Sequence, residues 1–491
     1  ETYIEFSDHE IAGLDMVFIK NGYVYHTAQD DLAHVTAGTL QHVGDNLLPT
    51  VRAMANSPYL VDSLAYRDQS AVFFDVWGLV LIVFPDADVA QVFYFCLTTL
   101  VLLLDVRISA QNSLSAWAAD IARALTFQVL VLIGGILASV LVGILFTVFS
   151  SHSMAWYAHF HLSCLLFGFA ALAGVLGTHL LCIDILPRET KEKKDGPSFS
   201  SSSSSCVSFS MISLRSQADR AALLFHTALM LLCATRGVQS AYVFAVPVAL
   251  TLLGYLGQSL RVVSQILPHS NFPICASLVS AMVVALNCEM HLALTSFFLP
   301  ITGRLGGVVQ TDLLISALLG LGSAFVVVLP AASMHRRSNL STANTMRPLL
   351  KTSLAVTAAV VCFLFLQHPY SVAAPKRLFL LQTTRKFFGK PAAAGAMPPL
   401  TKSDSGLWVI PFDVRGLSPD IEQLQIPELM TEGRRMASCE PESVYCGYPW
   451  YFPIQEMIGP TTWYVPMPGE QQPFPSNAPL SLTLLGEERL E

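Results

Sequence analysis

Charge is what this sequence has least of. Only 13% of its 491 residues are Asp, Glu, Lys or Arg, against roughly 25% in ordinary soluble domains. With 53% hydrophobic residues and a mean hydropathy of +0.52, a water-soluble fold does not fit. A basic excess is also missing. The net charge of −7 and pI near 6.0 give no reason to expect nucleic acid as a partner. No positively charged, apolar signal segment precedes the first folded-looking stretch, and the chain opens on Glu1 rather than Met. The expectation is therefore a polypeptide whose upstream portion is absent here.

Long apolar runs are abundant. A helix needs about 20 mostly apolar residues to cross a bilayer, and runs of that kind lie near 88–105, 126–149, 157–184, 220–236, 240–260, 273–299, 312–333 and 350–367. This predicts a polytopic α-helical membrane protein of about eight spans. Positive residues gather in alternate loops: Arg107 and Arg123, then Arg188, Lys191, Lys193, Lys194 and Arg215, then Arg336, Arg337 and Arg347. The intervening connections carry little beyond Arg236 and Arg304. Because basic loops stay cytoplasmic, an even span number puts both soluble ends on the far side. The sequon Asn339-Leu340-Ser341 falls in a loop that this topology keeps inside, where it stays unmodified.

Residues 1–70 read as the end of an α/β domain. Gly13 to Ile19 is a run of strand length, Asn21-Gly22 a turn signal, and Tyr23-Val24-Tyr25 the resumption of a sheet edge. From Ala37, the residues Leu40, Val43, Leu47, Val51 and Met54 recur at helical spacing, with Pro49 expected to kink the helix. About 70 residues cannot bury a self-sufficient α/β core, so the sheet is expected to continue beyond them. Between strand and helix stands His26-Thr27-Ala28-Gln29-Asp30-Asp31. Taken alone, a histidine after a strand is more often an ordinary loop residue than a ligand. Ser7-Asp8-His9 reads as a surface turn.

Asn21-Gly22-Tyr23-Val24-Tyr25-His26-Thr27 followed by Asp30 resembles the closing motif of co-catalytic di-zinc aminopeptidase-type metallopeptidases. Gly44-Asp45-Asn46-Leu47-Leu48 and Val72-Phe73-Phe74-Asp75-Val76 narrow the resemblance to the membrane-bound endoplasmic reticulum metallopeptidase family. So do Pro375 to Leu380, Asp404 to Trp408 and Cys446 to Tyr451 near the other end. The resemblance implies that His26 is the last zinc ligand, with Thr27 or Asp30 fixing its tautomer from behind. It implies two Zn2+ ions in the complete enzyme, activating a bridging water and polarising the scissile carbonyl while a carboxylate acts as base. It also implies a peptide or protein substrate, a location in the endoplasmic reticulum membrane and luminal soluble ends. Catalytic zinc usually takes three protein ligands, and the family's other ligands and its glutamate base lie upstream of such a segment. On that ground no catalytic residue is named, and the stretch by itself is expected to hold no zinc and to be inactive.

The rest of the chain divides as follows. Residues 71–87 form a membrane-proximal segment: 71–84 is too short for a span and reads as buried or interfacial, with Asp75 as a helix cap or packing residue. Residues 88–368 hold the bundle, with a disordered Ser-rich cytoplasmic loop at 188–216, a tether open to phosphorylation. Asn287, Glu289 and His291 share one span and His226 lies in another. Ionisable groups there suggest an ion or peptide pathway, though hydrogen bonding between helices is the simpler role. Residues 369–491, with Leu407 to Ile410, Phe412 and Val414, suggest a β-rich domain. Cys439 and Cys446 stand apart from the other cysteines, and a disulfide is preferred over two free thiols. Besides a zinc peptidase, two other classes fit the sequence: a noncatalytic membrane scaffold, and a transporter, for which no internal symmetry is visible.

Overall fold

Apolar runs of span length fold as helices because a helix pairs its backbone polar groups within one segment. The computed structural model of the chain bears this out over the residues it describes, namely 17–18, 21–58, 71–109, 114–185, 223–259, 272–334, 339–389, 398–418, 420–421, 433–436 and 462–467. Contacts divide the chain into two units, one of residues 1–304 and 310–376, the other of residues 305–309 and 377–491.

The first unit contains helix α1 (Thr39–Ala55) and then the apolar helices α2 (Ala87–Ser109), α3 (Leu114–Val148), α4 (Phe160–Ile185), α5 (Leu223–Thr235), α6 (Tyr242–Ser259), α7 (Phe272–Ile301), α8 (Thr311–Met334) and α9 (Asn339–Leu364). Among the described residues, five of these (α2, α3, α4, α7 and α9) are long and apolar enough to cross a membrane, and α5, α6 and α8 enter as shorter apolar helices.

The centre of the bundle is packed through small residues. Gly134 and Gly174 face each other so closely that a Cβ on Gly174 would run into the Gly134 carbonyl. A Cβ on Gly320 would likewise strike Ser139. Small residues let helix backbones approach in a membrane, where water gives no hydrophobic drive between helices. Ser139 Oγ donates to the Phe167 carbonyl across α3 and α4 at 2.9 Å. A second core joins α2, α5 and α6 through Tyr94, Val101, Met230, Ala245 and Val248.

The membrane-proximal segment before α2 folds as a hairpin. Strands β1 (Val72–Val76) and β2 (Val80–Phe84) pair antiparallel. Trp77 and Gly78 carry φ of 55° and 64°, the left-handed pair that matches the turn to strand twist. Asp75 Oδ2 accepts from Gly78 N at 2.7 Å, so its carboxylate closes a turn instead of capping a helix. Val72 and Phe84 tie the hairpin to the α2, α5 and α6 core.

Helix α1 forms as its periodicity predicts and runs through Pro49, but none of its residues is buried. Its apolar face, with Leu40 and Val51, is open. Tyr23 to Tyr25 departs from the sequence expectation, since it lies in turns. Positive φ at Asn21 and His26 breaks the pleat on both sides. The expected strand at 13–19 falls outside the described residues apart from Val17 and Phe18, as do the Ser-rich loop and Ser7 to His9.

The second unit is a four-stranded antiparallel sheet in the order β3, β4, β6, β5, formed by Leu378–Phe388, Leu400–Pro411, Thr462–Met467 and Arg434–Met436. Val409, Leu417 and Val465 pack together as a buried cluster on one face, and Trp408 and Ile410, on the opposite face of the same strand, are buried as well. Arg415 and Asp420, both nearly inaccessible, pair at 3.2 Å. The strand suggested by Leu407 to Ile410 is thus part of β4. Cys439 and Cys446 lie outside the described residues.

Candidate metal-ligand loop and its seat on the bundle

The residues around His26 have no ladder to hold them, so turns and the neighbouring helices must do so. Thr27 N donates to the Val24 carbonyl at 3.1 Å and closes a turn with His26 as its third residue. His26 has φ 58°, a left-handed conformation that histidine adopts more readily than most side chains. Its ring is exposed and stacks on Tyr25 with centroids 3.8 Å apart.

Thr27 and Asp30 do not pair with the His26 ring. The Thr27 hydroxyl donates to the Val24 carbonyl at 2.6 Å and accepts from Gln29 N at 3.2 Å. Asp30 is exposed, and Asp30 N continues the turns by donating to the Thr27 carbonyl at 3.1 Å. A short 3-10 helix, Leu32–His34, follows. There the His34 ring beside Asp31, at 2.9 Å, holds the Asp31 carboxyl below its usual range.

The loop sits on the end of the bundle where α3 meets α4 and α7 meets α8. Tyr23 Oη donates to the Tyr157 carbonyl at 2.9 Å, and the two rings meet edge to face at 5.1 Å. Burial pushes the Tyr23 phenol pKa well up, with Tyr157 and Cys164 adding to the shift. Arg304 lies over the Tyr25 ring at 5.2 Å, and Gly22 packs against Pro300.

Tyr157 is wholly buried and is the meeting point of several segments. Gly303 abuts its ring with no room for a side chain. Tyr370, beyond α9, approaches at 5.8 Å, and Ala158 N donates to the Pro369 carbonyl at 3.1 Å. Under Tyr157 the loop 150–159 is tied to Asp312 in the first turn of α8. The buried Asp312 carboxylate accepts from the Ser153 hydroxyl, from Met154 N at 3.0 Å and from Trp156 Nε1 at 2.7 Å. Sequence reading missed Tyr157 and Asp312, and saw Tyr23 only as a sheet-edge and motif residue and Arg304 only as a sparse loop cation. The available signal was one carboxylate, Asp312, at the head of an apolar run.

The intramembrane polar residues do not come together. His291 Nε2 lies 3.1 Å from Ser323 Oγ on α8, and Thr295 Oγ1 donates to the His291 carbonyl at 2.7 Å. Asn287 is half-buried, whereas Glu289 is exposed on the helix surface. His226 is packed edge-on between Phe225 and Phe325.

As a metal donor, His26 fits the part of one ligand. Its imidazole is open, and among the described residues no hydrogen bond occupies its nitrogens. Among those residues no three His, Cys, Asp or Glu side chains are grouped to hold a metal ion, so His26 is at most one member of a larger set.

Comparison with known proteins follows the same order along the chain. Residues 3–51 match the model of peptidase family M28. Residues 117–222 match the transmembrane domain of endoplasmic reticulum metallopeptidase 1, and residues 373–491 match its C-terminal domain. The chain is 28% identical to the proteins named endoplasmic reticulum metallopeptidase 1 of Rattus norvegicus and Homo sapiens, each over 93% of its own length and 48% and 47% of theirs. It is 28% identical to that of Mus musculus over 98% of the chain and 50% of the relative. The chain therefore spans about half the length of these curated relatives. No solved structure matches it. A peptidase segment, a transmembrane domain and a C-terminal domain are thus matched in that sequence, so the chain is similar along its length to endoplasmic reticulum metallopeptidases.

Proposed function

We propose that this chain is part of a zinc-dependent, aminopeptidase-like metallopeptidase of the endoplasmic reticulum membrane, acting on peptide or protein substrates. In this reading α2 to α9 supply eight spans, both soluble parts face the lumen, and Cys439 and Cys446 pair in that oxidising compartment. The observation that carries the reading is His26, an open imidazole at a left-handed turn position inside the segment that matches peptidase family M28. Zinc, when bound, supplies a Lewis acid and a water activated at neutral pH. This chain contributes an imidazole donor, a turn closed by Thr27 that leaves it exposed, and a bundle end that seats the turn.

The test begins with the intact mass and N-terminal sequence of the native polypeptide isolated from membranes, followed by its zinc content and hydrolysis of aminoacyl peptides. A longer chain that holds zinc and loses both zinc and hydrolysis on His26→Ala supports the reading. A polypeptide without zinc or peptide hydrolysis is instead a membrane scaffold that keeps the architecture. Removal of zinc by a chelator should abolish turnover and its return should restore it.

A further inference from the structure

We infer that the helical bundle is part of the foundation of the peptidase site, with Tyr157 and Arg304 as positioning residues for the turn that carries His26. The inference rests on the zinc-peptidase reading of His26. It explains why a ligand loop should touch a membrane bundle at all.

Residues 21–30 contain no helix or strand. A metal site works only when its donors are held to within about half an ångström, which a loop achieves only against rigid support. Two independent contacts supply that support just before His26: the Tyr23 hydrogen bond and ring contact with Tyr157, and the Arg304 guanidinium over Tyr25. Val24, buried between them, accepts both hydrogen bonds from Thr27, so the turn closes directly onto the seated residues.

The seat is itself closely packed. Tyr157 is enclosed by Gly303 and Tyr370, and the residues just before it are locked by three donors onto the buried Asp312. A continuous run of packed and hydrogen-bonded groups thus leads from the His26 turn to the N-terminus of α8. A shift at this end of the bundle would move the zinc donor.

The experiment uses the full-length polypeptide extracted from membranes, compared with Tyr23→Phe, Arg304→Ala, Arg304→Lys and the Tyr23→Phe/Arg304→Ala double variant. Three quantities are read: zinc retained against graded chelator, hydrogen exchange at the Thr27 and Asp30 amides, and kcat and KM for an aminoacyl peptide. Losing one hydrogen bond and one cation–π contact should make the double variant release zinc at about tenfold lower chelator and exchange Thr27 about tenfold faster. The value of kcat should fall while KM stays within about twofold, and Arg304→Lys should behave as the parent because it keeps a cation over the ring. Parent-like zinc retention and exchange in the double variant would overturn the inference. If the double variant does not fold, Tyr23→Phe alone decides on the same readouts. A parent polypeptide that holds no zinc overturns the peptidase reading and this inference with it, and that result is seen before any variant is made.

Discussion

Tyr23 shows how a single side chain reports on the seat of the ligand loop. Burial raises its phenol pKa above the ordinary value near 10, so the neutral donor is favoured in the folded chain. The contribution of the Tyr157 contact is then complete below about pH 10 and is lost as pH rises through the folded value. An ultraviolet titration should show one fewer late-ionising tyrosine in Tyr23→Phe than in the parent. Asp312 is the residue with most at stake. Asp312→Ala would leave three buried donors without their acceptor, and should cost about 3–5 kcal/mol, read as a lower thermal midpoint in detergent. His26 was legible from the residues flanking it. Tyr157 was not, because nothing local marks an aromatic whose partners lie 134 positions upstream and 213 downstream.

At the scale of elements, the helices were legible because their apolar runs have a length that only a membrane requires, while the hairpin before α2 was hidden. Phe73-Phe74-Asp75-Val76 is as apolar as a helix segment, and its strand identity depends on two left-handed turn residues and on Asp75 closing onto Gly78. Asp75→Ala should destabilise that hairpin by about 1 kcal/mol, visible as faster exchange of the Gly78 and Leu79 amides. The α3 and α4 contact depends on Gly174, where a side chain meets the Gly134 carbonyl. Gly174→Val should force the helices apart at about 1–3 kcal/mol, typical of an overpacked core. Gly177, with open space around its Cβ position, serves as the control: Gly177→Ala should leave the thermal midpoint within about a degree or two.

For the whole molecule, the ends of α3, α7 and α9 and the starts of α4 and α8 meet around Tyr157, on the same side as the His26 loop. The alternation of basic loops leads one to expect these connections on the side opposite the basic loops. If that end is luminal, a sequon engineered between Asp30 and Thr36 should be glycosylated in microsomes while Asn339 stays unmodified. Modification at Asn339 alone would reverse the orientation.

What the sequence determined by itself was the class of molecule and its order along the chain: scarce charge and long apolar runs demand a bilayer, and the segments flanking them carry the family's marks. The tertiary structure decided what the His26 loop rests on. Periodicity and composition are local quantities, whereas the Tyr23, Tyr157, Arg304 and Asp312 contacts join residues far apart in the chain. Such contacts exist only once the helix ends have been brought together.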